Sequence, residues 1–270
     1  MTRKKFILVS AIVSAVALAL PFICNEKLET SYYEFHTDKP VPELKIAFIS
    51  DLHNTLYGKD MCEITDNLKS FAPDVVILGG DFFDFEWDEP NSVRFAKYLS
   101  VRYPCFYALG NHEFKCGQQD IIKRGMSELG ITVLDGKYSD IKVGGSTVRI
   151  HGIEGCSYRE QVKACTEAIL PDAYNILINH FPEEFPQVSG LGFDLILSGH
   201  AHGGQWRIPL LLPNGVFSTG EGLFPHYTGG VYVENGSQML VSRGLQRCLR
   251  DIVIPRVLNR PELVFITIKN

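Results

Sequence analysis

The 270-residue chain predicts an α/β fold in which two sheets pack face to face with helices outside. Short apolar runs alternate with segments of helical periodicity through most of the chain, the pattern of βαβ units. Strand pairs around tight-turn signals follow late in the chain, and five of the apolar runs end in a short polar motif.

In chain order, Leu44–Ser50 reads as the first buried strand and Lys59–Phe71 as the first helix. Val75–Gly79 and Phe106–Leu109 are strands, with helices expected at Ser92–Val101 and Gln118–Leu129. Tyr138–Val143 and Thr147–Ile153 form a hairpin around Gly144-Gly145, followed by a helix at Tyr158–Ile169. Tyr174–Ile178 and Phe193–Ser198 are again short, continuous and apolar, as strands buried on both faces are. Val231–Glu234 and Met239–Ser242 flank Asn235-Gly236, a strong hairpin signal, and Leu263–Ile268 closes the chain as a strand.

The polar motifs follow the strands: Asp51-Leu52-His53, Gly80-Asp81, Gly110-Asn111-His112-Glu113, Asn179-His180 and Gly199-His200-Ala201-His202. Side chains at strand carboxyl ends converge from distant parts of a chain, because the crevice of an open α/β sheet lies there. Imidazole with carboxylate and amide oxygen suits divalent Zn, Mn, Fe or Ni, and no cysteine lies within a motif. Two such ions about 3.5–4 Å apart bridge a hydroxide and clamp the attacking and leaving oxygens of an in-line displacement at phosphorus.

These five blocks, in this order, resemble the calcineurin-like metallophosphoesterases, over roughly residues 44–268. Gly199-His200-Ala201-His202-Gly203-Gly204-Gln205 and the tail Pro255-Arg256…Arg260-Pro261-Glu262 are similar to the bacterial membrane-associated YkuE-like branch. The resemblance implies a four-layer α-β-β-α sandwich of two mixed sheets. It implies that Asp51, His53 and His202 hold one metal, that Asn111, His180 and His200 hold the other, and that Asp81 bridges them. It implies that His112 faces substrate as acid or electrostatic aid, with Glu113 an outer group orienting the ligands. The protein Ser/Thr phosphatases follow Gly-Asp with an Asp-Arg-Gly element. Here Gly80-Asp81-Phe82-Phe83-Asp84-Phe85 has no arginine, which favours a phosphodiester or pyrophosphate over a monoester dianion.

The expected reaction is therefore hydrolysis of a phosphodiester or pyrophosphate by a metal-bridging hydroxide. The alternatives are an envelope phosphomonoesterase and a membrane-tethered metal-binding pseudoenzyme; against the latter, every expected ligand is intact. Glu113 and Asp84 are read as equally functional or merely solvated or capping residues, and His36, His151 and His226 as structural, although His226 lies where it could touch substrate.

Arg3-Lys4-Lys5 precedes Phe6–Cys24, nineteen residues without a charge. As a helix they span about 28 Å, close to the hydrocarbon core of a bilayer. Residues 1–30 are read as one transmembrane anchor with the catalytic domain outside, by the positive-inside tendency; a signal peptide cleaved after Ala17-Leu18-Ala19 is the alternative, giving a secreted protein. Residues 31–43 are read as a linker and 44–270 as the phosphoesterase domain. Net charge is −5 with no basic tract, so a nucleic-acid backbone is not an expected partner. The seven cysteines have no metal-binding spacing and are expected mostly free and buried. Trp206–Pro213, directly after the last motif, is either a core edge or, with Leu223-Phe224-Pro225, an apolar lip that meets the bilayer and admits a lipid-linked substrate.

Overall fold

The computed structural model describes residues 26–84, 87–115, 117–155, 158–208, 210–247 and 256–270. The run Phe6–Cys24 lies outside the described residues, and among those described no helix is long and apolar enough to cross a membrane.

The strands are β1 (Glu29–His36), β2 (Leu44–Ile49), β3 (Val75–Gly79), β4 (Cys105–Ala108), β5 (Thr132–Val133), β6 (Lys137–Val143) and β7 (Ser146–Ile153). They continue as β8 (Tyr174–Asn179), β9 (Leu195–Ser198), β10 (Phe217–Ser218), β11 (Gly222–Leu223), β12 (Gly230–Glu234), β13 (Ser237–Val241) and β14 (Glu262–Lys269). They form two six-stranded mixed sheets, β1-β14-β2-β3-β4-β5 and β12-β13-β9-β8-β7-β6, and a small β10-β11 ribbon. β2, β3 and β4 run parallel, as do β7, β8 and β9. Their ends of like polarity therefore lie on one edge of each sheet.

Period-two alternation sorts the side chains into three apolar layers. Leu44, Ile46 and Phe48 of β2 join Ile176 and Ile178 of β8 between the sheets. Ala47 and Ile49, on the opposite face of β2, join the outer cluster built with helices α1 (Cys62–Phe71), α2 (Pro90–Ser100) and α4 (Gln119–Glu128). Leu177 and Ile196 face the other outer cluster, beneath α5 (Tyr158–Glu167) and the short α6 (Phe185–Val188). The order is helix, sheet, sheet, helix. A further short helix, α3 (Asn111–Lys115), starts inside the Gly-Asn-His-Glu motif and has no counterpart in the apolar periodicity.

Two expectations need correction. Residues 31–43 do not form a linker throughout, because β1 pairs in parallel with β14 from Glu29↔Glu262 to His36↔Lys269. The ladder comes from the far end of the chain, so no local pattern announces it, and the irregular segment shrinks to residues 37–43. The helix expected at Lys59–Phe71 begins with a 3-10 turn in which Asp60 and Met61 take φ of 52° and 64°, and regular α1 starts at Cys62. Cys62, Cys105 and Cys165 are free thiols, the last two buried; Cys24, Cys116, Cys156 and Cys248 lie outside the described residues.

His151 is fully buried on β7, between the rings of Tyr138 and Phe193. Burial pushes its imidazole down to about 4 against a weak opposing bond to Asn175 Oδ1 at 3.4 Å. A depressed histidine contributes stability above its unfolded pKa of about 6.5 and loses it as pH falls toward the folded value. In chelated protein, urea unfolding should lose up to about 3 kcal/mol from this group between pH 7 and pH 4. His151→Leu should lose correspondingly less over the same range. Equal acid losses in both proteins would remove His151 as the cause.

Candidate metal centre

The five motif loops meet at the carboxyl ends of β2, β3, β4, β8 and β9. Backbone bonds tie them together: the Asp51 N–H donates to Gly80 O at 3.0 Å, His53 N–H to Asp81 O at 3.0 Å and Gly199 N–H to His180 O at 3.1 Å. Five site residues hold left-handed backbone: Asp51 (φ 53°), His53 (46°), Asp81 (50°), His200 (66°) and His202 (45°). Each such residue costs on the order of 1–3 kcal/mol, and strain of this kind persists where surrounding structure over-determines it. Gly110 has ordinary backbone but no room: a Cβ there would lie 2.2 Å from Asp81 Oδ1. Gly80 combines a φ of 90° with close approach, since a Cβ would stand 2.6 Å from His180 Nδ1.

Six of the eight expected site residues form two imidazole pairs around two buried carboxylates, Asp51 and Asp81. The rings of His53 and His202 are 5.3 Å apart, and those of His180 and His200 are 5.2 Å apart. Ligand atoms of Asp51, His53 and His202 lie within 4.8 Å of one another, as do those of Asp81, His180 and His200. Asp81 Oδ2 stands at the junction, 3.2 Å from His180 Nε2 and 3.7 Å from His53 Nε2. His53 Nε2, His180 Nε2, Asp81 Oδ2 and Asn111 Oδ1 are buried without a hydrogen-bond partner in the protein. Four orphaned nitrogen and oxygen atoms at about 1–3 kcal/mol each are hard to sustain in a folded protein. A hard or borderline cation satisfies them all. The donor set fits.

The opposite atoms of these side chains are engaged. His180 Nδ1 is 2.7 Å from Gly79 O, and His53 Nδ1 is 2.8 Å from Asp84 Oδ1. Asp51 accepts from the His200 N–H at 2.9 Å and the Ser50 hydroxyl at 2.7 Å, and Asp81 Oδ1 from the His112 N–H at 2.8 Å. Such bonds fix ring orientation and tautomer. Glu113 supports the backbone rather than the ligand side chains. Its carboxylate accepts the N–H groups of Asp81, Phe82, Phe83 and Gly110 and the Tyr107 hydroxyl, at 2.7–3.1 Å.

Burial pushes the Asp51 carboxyl up. Burial also works against the Asp81 carboxylate, yet the imidazoles of His180, His53 and His112 hold it well below its ordinary range. Its counterpart His180 is disfavoured by burial but drawn up to about 10 by Asp81 and Asp51. His200 is pushed down to about 3 by burial and the His180 charge, and His202 is pushed well down by burial, His53 and Arg256. The cluster requires positive charge beside Asp81 and presents neutral imidazole lone pairs at His200 and His202, the form that ligates metal.

Asp84 was not separable from a capping residue in the sequence, and its role is specific: Oδ1 lies 2.8 Å from both His53 Nδ1 and His112 Nδ1. Three further contacts had no sequence signal beyond the tail similarity at Arg256. Thr219 Oγ1 is 3.1 Å from His200 Nε2, Glu183 Oε1 is 3.8 Å from it, and Arg256 Nη2 is 3.3 Å from His202 Nδ1. His36 pairs with Glu34 at the surface, and His226 packs on Tyr227 and Tyr232. Neither joins the cluster of ligand atoms.

A profile described as calcineurin-like phosphoesterase matches residues 44–204. The Bacillus subtilis metallophosphoesterase YkoQ is 27% identical over 228 residues, 83% of each chain. The Escherichia coli phosphodiesterase YaeI is 28% identical over 78% of this chain and 81% of its own. Bacillus subtilis metallophosphoesterase YkuE is 25% identical over 84% of this chain and 79% of its own.

Gly110→Ala should leave the protein folded, with a far-ultraviolet circular dichroism spectrum like the wild type, but displace the Asp81 carboxylate. Bound divalent metal, measured by plasma emission after dialysis, should fall at least tenfold in affinity. Unchanged affinity would mean that the close approach at Gly110 does not govern the centre.

Proposed function

The chain belongs to the calcineurin-like phosphoesterase family and is a hydrolase; from that premise we propose that it is a phosphodiesterase or pyrophosphatase working with two divalent ions. The observation that carries this is Asp81 Oδ2, unbonded and buried between His53 Nε2 and His180 Nε2. Asp51, His53 and His202 would hold one ion, Asn111, His180 and His200 the other, and Asp81 both; two clusters of ligand atoms support this division for the histidines and aspartates, and the buried, unpartnered Oδ1 supports a ligand role for Asn111. Bound there, the ions supply Lewis acidity toward the phosphoryl oxygens and an acidified water as nucleophile.

His112 stays outside the ligand set in this reading, although its ring also lies within 4.8 Å of His53 and Asp81 ligand atoms. Its side chain is 26% exposed where that of His53 is 1%. Asp84, held below the ordinary carboxylate range against its own burial by bonds to His112 and His53, fixes the His112 Nδ1–H. Nε2 is left to carry the proton that the leaving oxygen takes as the P–O bond breaks. The diester preference rests on the position after Asp81, where Phe82 and Phe83, buried in the core, stand in place of an arginine that could grip a dianion. The charge-free run before the domain supports an uncleaved anchor and an envelope, lipid-linked substrate.

With Mn²⁺, bis-p-nitrophenyl phosphate should turn over faster than p-nitrophenyl phosphate. The reverse order favours a phosphomonoesterase, and no turnover of either favours a metal-binding module. Asp81→Asn should lower diester turnover by about 10³-fold or more with loss of metal, since the carboxylate serves both ions. His112→Ala should keep both metals and lose about 10²–10⁴ in turnover. His200→Ala should lose metal. If His112→Ala strips metal as thoroughly as His200→Ala, the division of roles fails.

A further inference from the structure

The segment from Trp206 to His226 grows directly out of the His202-Gly203-Gly204 turn and folds back on it. Its root is held by Trp206 pairing with Val257 and by the Val216 N–H donating to Gly204 O at 2.9 Å. From that root Thr219 reaches His200, while the apolar side chains of the tips are exposed to solvent. Leu210 is fully exposed, and Leu211, Leu223 and Phe224 are 72%, 69% and 68% exposed. Trp206 and Ile208 add to the same apolar surface, and Trp206 and Leu223 wall a cavity of about 170 Å³ with Val216 and Phe217.

This exposure is not an accident of turn chemistry. Leu210 and Phe224 hold φ of 68° and 56°, where glycine or asparagine is far cheaper. Bulky apolar residues at these tips therefore incur both backbone strain and water-exposed hydrocarbon. The segment's two charged residues, Arg207 and Glu221, are turned to the root. Glu221 accepts the N–H groups of His226 and Tyr227 at 2.9 Å, and the half-buried Arg207 lays its guanidinium against Gly229, where a Cβ would stand 3.0 Å from its Nη1. The tips carry no charge.

The place where the chain enters the domain identifies the occupant. β1 begins at Glu29 opposite Glu262, and β14 is antiparallel to β2, so β1 starts beside the carboxyl end of β2 where Asp51 lies. Glu262 N–H donates to Gly244 O at 3.0 Å, and Gly244 packs so tightly on Asp51 that a Cβ would lie 2.6 Å from Asp51 Cβ. Chain entry, metal centre and apolar tips thus share one end of the sandwich. Only Asn25–Leu28 separates the nineteen uncharged residues Phe6–Cys24 from β1, a reach of at most about 14 Å.

We propose that the tips bearing Ile208, Leu210, Leu211, Leu223 and Phe224 insert into the acyl region of a phospholipid bilayer and seat the metal centre against the membrane surface. The proposal deepens the reading of a lipid-linked substrate and rests on it only for the activity arm below. Amphipathic surface that buries apolar side chains at the headgroup boundary binds in proportion to the area buried. The two charges at the root stay on the aqueous side.

The chain has two tryptophans, Trp87 and Trp206, so each can be isolated by one substitution. Full-length Trp87→Phe protein in phosphatidylcholine vesicles with brominated acyl chains should lose at least half of its Trp206 emission relative to unbrominated vesicles. Full-length Trp206→Phe protein, reporting Trp87, should lose none. Equal Trp206 emission in both vesicles overturns the proposal. So does Trp206 emission that shifts with protein concentration in detergent, since a second copy would then cover the tips. In the activity arm, Leu210→Ser/Leu211→Ser/Phe224→Ser should keep turnover of bis-p-nitrophenyl phosphate and lose at least tenfold on a bilayer-embedded phosphodiester. Equal loss on both substrates counts against insertion. Should wild type cleave no diester, the phosphodiesterase reading fails while the quenching result still decides the insertion.

Discussion

A carboxylate held charged inside the protein, Asp81 among His180, His53 and His112, is the constraint from which the rest of this structure can be understood. Burying an ion without a counter-charge is among the most expensive events in folding, so the surroundings must supply positive charge and fixed donors. Two sheets contribute: the first brings Asp51, His53, Asp81, Asn111 and His112, the second His180, His200 and His202. The centre therefore reports on sheet packing as well as on loop geometry. A shift of one sheet against the other would part His53 from His202 and Asp81 from His180.

Rigidity is built in by residues that never touch the reacting atoms. Glu113 gathers four backbone N–H groups from the Asp81 and Gly110 loops, so one buried side chain holds two motifs at once. Asn54, next to His53, caps α2 by accepting the N–H groups of Asn91 and Ser92 at 3.0 and 3.1 Å. A side chain from one loop thereby satisfies the orphan donors at another element's N-terminus. Asp84 links His53 to His112, coupling a proposed ligand to the proposed acid. Stiffness of this kind keeps five left-handed residues in place.

Much of this was legible in sequence. The strands bearing the motifs are uninterrupted apolar runs, and their period-two sorting into layers follows from burial on both faces, so Leu44 and Ala47 fall where alternation puts them. The motif residues converge because polar residues after buried parallel strands have one shared edge. What was hidden depends on partners distant in the chain. β1 is defined by β14, the Asp84 bridge by two histidines from different loops, and the contacts of Thr219 and Arg256 by segments that return to the centre after long excursions. The short helix α3 escaped because its helical residues serve the metal centre rather than an apolar stripe.

The central claim is that Asp81 joins two ions, and electron paramagnetic resonance of the full-length protein loaded with Mn²⁺ tests it most directly. The account predicts two Mn²⁺ per chain with an exchange-coupled spectrum, as expected for ions about 3.5–4 Å apart, and loss of coupling when Asp81 is replaced by asparagine. One bound ion at saturation, or two with uncoupled signals in the wild-type protein, would contradict it.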